Sequence, residues 1–103
     1  MNPCPCFERQ HCTQIKSLGT DSHYGEVTLD VCSMCHKYWL HYLYENEGIS
    51  RSGRWYRCML ELVDIHKITT DTALAVLEQS GDTYCGGSYF DGKVGRWHGK
   101  INL

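Results

Sequence analysis

Two pairs of cysteines constrain this chain more than any other feature. Cys4-Pro5-Cys6 and Cys32-Ser33-Met34-Cys35 are separated by 25 residues that read as strand, loop, strand. Val27, Leu29 and Val31 alternate with Thr28 and Asp30, the period of a half-buried strand. The Gly, Ser and Asp content of residues 17–25 marks the loop before it. Each short cysteine turn can aim two sulfurs at one point, and a hairpin brings both turns together at its open end. Four thiolates so placed surround a divalent ion tetrahedrally, with Zn–S distances of about 2.3 Å.

The order C-x-C, hairpin, C-x-x-C resembles the zinc-ribbon and rubredoxin-like class over residues 4–45. The resemblance implies a metal held by Cys4, Cys6, Cys32 and Cys35. The first pair departs from the usual two-residue spacing, and Cys12 follows six residues later. Cys12 can therefore replace Cys4 or Cys6, and His11, His23 or His36 can stand in for one sulfur. The four-cysteine set is preferred because Cys12 falls inside the expected first strand. Zinc is the expected ion, and iron suits the same cage. Four thiolates close the coordination sphere, so the site reads as structural, not as an enzyme's, because a catalytic zinc keeps a position open. Structural zinc contributes on the order of 10–16 kcal/mol in small peptides, comparable to the whole stability of a domain. Two alternatives are a nucleic-acid-binding zinc ribbon that uses the Arg51–Arg57 hairpin and a thiol redox protein built on Cys32 and Cys35. A redox C-x-x-C opens a helix, whereas His36-Lys37-Tyr38-Trp39 suits a strand.

With 103 residues the chain supports one domain, residues 1–103. A zinc-ribbon-like hairpin over 4–45 leads into a sheet, a helix and a C-terminal hairpin over 46–103. The expected class is α+β, an antiparallel sheet with one packed helix. Strands are expected at 11–16, 26–32, 36–45 and 54–62. In the third, Tyr38, Leu40, Tyr42 and Tyr44 alternate with Trp39, His41 and Leu43, so both faces are apolar or aromatic and the strand is an inner one. Ala73, Leu74, Val76 and Leu77 form a stripe of helical period over 71–80. Thr69 or Thr70 is the expected N-cap, and Gly81 the C-terminal cap. Segments 84–90 and 93–98 flank Asp91-Gly92, a hairpin-turn signal. Seven cysteines in a chain with no signal-like or membrane-spanning apolar run point to a reducing compartment, the cytoplasm.

Ten Lys and Arg against twelve Asp and Glu exclude the strongly basic profile of an obligate nucleic-acid binder. One basic-aromatic cluster, Arg51, Arg54, Trp55 and Arg57, can still contact phosphates and stack on bases. Glu45 and Glu47 lie across the same hairpin and compete for those arginines. Twelve percent aromatic residues exceed what a small core easily hides, so the aromatic strands are the expected protein-binding surface. Cys58 reads as a core residue. Cys85, before Gly86-Gly87, has no assigned chemistry. The glycine-rich run after it lacks the lysine and following helix of a phosphate loop.

Overall fold

A computed structural model describes residues 6, 11–46 and 48–101. Six strands form one antiparallel sheet in chain order: β1 (Cys12–Thr20), β2 (Glu26–Cys32), β3 (Tyr38–Tyr44), β4 (Arg54–Leu60), β5 (Thr83–Gly86) and β6 (Gly95–Trp97). One helix, α1 (Ala73–Gln79), falls between β4 and β5 in the chain and packs on β3 and β4. The class is α+β, as the hydrophobic periods imply.

Alternation sorts the strands into two faces. On the helix-bearing face, Val27, Tyr42, Tyr56 and Cys85 stand opposite one another in a row. Leu29, Leu40, Cys58 and Thr83 form the next row. These side chains are buried, and with Ala73, Leu77, Ile68 and Ile101 they make the main core. The other face carries a different row: Thr28, His41, Arg57, Tyr84 and Arg96, with Asp30, Trp39 and Met59 beside it. β3 is an inner strand, and Trp39 to Tyr42 are buried on both sides.

Five local expectations are corrected. β1 runs on to Thr20 through residues read as loop, because register shifts at Gln14/Lys16 and Ser17/Gly19 each absorb one extra residue. The turn after it is built by Asp21, whose carboxylate accepts from the His23 and Gly25 amides and from the Tyr42 hydroxyl. Tyr42 lies so close over Gly25 that a Cβ there would sit 2.1 Å from its ring.

β4 ends at Leu60, leaving Leu62 exposed in the following turns. Thr72, not Thr69 or Thr70, is the helix N-cap residue, and its hydroxyl accepts from the Thr69 amide. At the other end Ser80, not Gly81, is the cap and is extended (φ −68°, ψ 136°), because the chain must enter β5 at once. The buried Thr83 hydroxyl donates to the Leu77 carbonyl at 2.6 Å and satisfies an otherwise open helix end.

The Asp91-Gly92 turn forms with both residues at positive φ, but no strand abuts it. β5 stops at Gly86, a 3-10 turn follows at Ser88–Phe90, and β6 starts only at Gly95.

Replacing buried Leu77 by alanine should destabilise the fold by about 2–5 kcal/mol in urea unfolding. The exposed Val63→Ala should stay within about 0.5 kcal/mol of wild type in the same measurement.

Candidate metal centre

Cys32-Ser33-Met34-Cys35 forms the tight turn between β2 and β3. The His36 amide donates to the Cys32 carbonyl (2.9 Å) and the Cys32 amide to the Lys37 carbonyl (2.9 Å). His36 closes the turn in the left-handed region, φ 62°. Within the turn the Met34 and Cys35 amides donate to Cys32 Sγ at 3.4 and 3.5 Å. Sulfur in its ligating, anionic form is the better acceptor for such donors. The Ser33 amide and hydroxyl both donate to the His11 carbonyl, which ties the start of β1 to this turn.

Cys6 completes a cluster here. The sulfurs of Cys6, Cys32 and Cys35 all lie within 4.8 Å of one another, and Cys6 and Cys32 are buried. Cys6 Sγ and Cys35 Sγ are 3.7 Å apart, well beyond the length of a disulfide bond. A tetrahedron with Zn–S bonds of about 2.3 Å has an edge of about 3.8 Å. The observed spacing therefore suits two ligands of one ion.

Cys4 lies outside the described residues. Among the described residues no histidine nitrogen joins the cluster, and His11, His23 and His36 are exposed. Cys12 opens β1 opposite Cys32, at the hairpin's open end and not inside the strand as its sequence position suggested. Its thiol is outside the three-sulfur group: Cys12 Sγ is 3.6 Å from the Cys6 carbonyl oxygen and receives Arg57 Nη2 at 3.4 Å. The turn is flanked by strands, so the helix dipole that activates a redox C-x-x-C is not aimed at it.

Arg57 is the residue that sequence reasoning misplaced. It is 0 % exposed, as is its partner Asp30, whose Oδ2 accepts from Nη1 at 2.6 Å. Nη1 also lies 3.1 Å from His41 Nδ1. Nη2 donates to the Cys6 carbonyl at 3.3 Å, and the guanidinium carbon sits 5.2 Å from the Trp39 ring centroid. One side chain thus spans β3 diagonally, joins β2 to β4, and grips the backbone beside the sulfur cluster. Trp39 packs against Cys6 and Cys32 from the same face.

The basic-aromatic residues do not share one surface. Arg54 and Arg57 are separated by an odd number of positions and face opposite sides of the sheet. Arg54 is buried, Trp55 is half-buried and stacks on the His41 ring, and Arg51 is exposed and pairs with Asp91. Cys58 is in the main core, as its strand position implied, and burial pushes its thiol up to about 12. Burial likewise raises the thiol of Cys85, which lies in the same core.

Comparisons with models of protein families, with curated proteins and with solved structures find no match to this chain. Among the described residues no helix is long and apolar enough to cross a membrane.

Two outcomes follow from this geometry. Arg57→Met or Asp30→Leu alone leaves a buried charge unpaired and should cost about 3–5 kcal/mol in chemical denaturation. The double variant should recover much of that loss, so a strictly additive double variant would refute the coupling. Cys58 stays protonated in the native state up to about 12, whereas its ordinary value is 9.0. Its contribution is therefore constant below about pH 9 and falls above it, by up to about 1.4 kcal/mol per pH unit. The stability gap between wild type and Cys58→Ala should narrow between about pH 8 and about pH 10 by that amount.

Proposed function

We propose that Cys6, Cys32 and Cys35, with Cys4 as fourth ligand, hold one zinc ion in a structural site. On this reading the chain is a small non-enzymatic binding or adaptor domain of a reducing compartment such as the cytoplasm. The observation that carries it is the convergence of three cysteine sulfurs from two distant parts of the chain within 4.8 Å of one another, with the Cys6–Cys35 pair at the spacing of a tetrahedral edge. Cys4 is favoured for the fourth position by its sequence spacing, two residues before Cys6. Four thiolates leave no coordination site for water, so the ion's work is to clip Cys6 to the β2–β3 turn. Its partner would be a protein; the aromatic residues of β3 and β4 expected to meet it are buried or half-buried, so the exposed Tyr24 and Tyr89, outside those strands, would serve instead.

Metal analysis of protein purified without added zinc tests the reading. The expected result is close to one zinc per chain, lost in Cys4→Ser, Cys6→Ser, Cys32→Ser and Cys35→Ser and kept in Cys12→Ser. Metal-free wild-type protein would overturn the site. Iron in place of zinc would overturn the ion. Loss in Cys12→Ser with retention in Cys4→Ser would replace the fourth ligand.

A further inference from the structure

The opposite end of β3 from the cysteine turn holds a second constellation, on the helix-bearing face. Arg54 opens β4 there, and only 8 % of it is exposed. Its guanidinium carbon lies 5.0 Å from the Tyr44 ring centroid and 4.3 Å from that of Tyr89, so two aromatic rings flank the cation. Among the described residues Arg54 has neither an ion-pair partner nor a hydrogen-bond acceptor, and its Nε is buried without one. Among the described residues, then, this desolvated cation meets ring faces and not the counter-charge that burial ordinarily demands. With its faces occupied, the group retains its N–H edge, the fork that matches two oxygens of a carboxylate or phosphate.

Arg54 lines a cleft of about 480 Å³ shared with Ile49, Ser50 and Arg51 and walled by the two tyrosines. That size and mixture of apolar walls with a few polar groups suit a small organic molecule better than a bare ion. The cleft is firmly built. Gly87 sits at φ 111°, where a Cβ would come 2.6 Å from the Gly53 carbonyl oxygen and 2.8 Å from Arg54 Cα. Glycine there lets the 3-10 turn lie against the β3–β4 loop, and the Tyr89 amide donates to the Gly53 carbonyl at 2.8 Å. The Tyr89 ring is braced edge-on by Phe90, at 5.0 Å and 85°. Across the loop the Ser52 hydroxyl joins the Asn46 amide and carbonyl. Arg51 adds a second cation, engaged on the surface by Asp91, and an exposed pair of this kind is readily exchanged.

The geometry points to a binding site for a small organic anion, whose oxyanion meets the Arg54 edge and whose apolar body lies between Tyr44, Tyr89 and Ile49. Carboxylate and phosphate monoester share this chemistry, and the choice between them is made by experiment.

The full chain is titrated with benzoate and with phenyl phosphate while backbone amide resonances are followed by NMR. Saturable shifts confined to residues 50–54 and 89 are expected for at least one of them, and the tighter probe identifies the head group. Benzyl alcohol, which has the ring without the charge, should bind about tenfold more weakly or worse. Arg54→Lys keeps the charge and loses the fork, and it should weaken binding with the spectrum otherwise preserved. Tyr89→Ala, at an exposed position, should also weaken it, whereas Asp91→Asn should tighten it by freeing Arg51. Should Arg54→Lys fail to fold, the Tyr89 and Asp91 variants decide the matter alone. Absence of saturation with both anions, equal binding of benzyl alcohol, or affinities unmoved in Tyr89→Ala and Asp91→Asn would overturn the site.

Discussion

The Arg57–Asp30 ion pair lies on a sheet face that the helix does not cover, yet neither side chain is exposed. α1 packs on the opposite side of β3 and β4, so the burial must come from elsewhere. Trp39, His41 and Cys12 touch Arg57, and so does Cys6, whose carbonyl accepts from Arg57 and whose sulfur meets Cys32 and Cys35. Removing Cys6 would open Trp39 and the ion pair to water, and a buried pair is strong only while its surroundings stay dry. The sulfur cluster and the ion pair therefore depend on each other. The first tethers Cys6, and the second gives the Cys6 carbonyl a charged donor to accept from.

Much of this was legible in the residues. Alternation through Tyr38–Tyr44 with apolar side chains on both sides requires two covered faces, and β3 is indeed an inner strand. The stripe from Ala73 to Leu77 is the helix, and Cys6 does converge with Cys32 and Cys35. Arg57 was misread because it stands in a run of arginines and aromatics that resembles a solvated hairpin. Its neighbours held the correction: a polar residue beside a doubly buried strand must find a partner, and Asp30 offers one from β2. Strand alternation likewise places Arg54 and Arg57 on opposite faces.

Other features depend on tertiary contacts that no local pattern encodes. The extra residues of β1 are absorbed by bulges, and Gly19 at positive φ helps the strand through residues whose composition suggests a loop. The helix ends where it does because Thr83, six residues beyond Leu77, supplies the hydroxyl that closes it. Asp91-Gly92 makes its turn, but Gly87 diverts the chain toward Gly53 before any strand can reach that turn. In each case short-range preference was satisfied, and a distant contact decided how far the element extended.

Every strand of the sheet pairs with its neighbour in the chain, so no strand needs a crossover before it can find its place. Low contact order of this kind favours rapid formation of hairpins one after another. The link from Cys6 to Cys35 spans 29 positions and encloses the first two strands. Closing a loop of that length carries an entropy cost that adjacent hairpins avoid, although it grows only slowly with length. The topology thus favours a folding order in which the two-cysteine turn exists before the third sulfur arrives. Cys6 then closes, as a latch, onto a sheet already assembled.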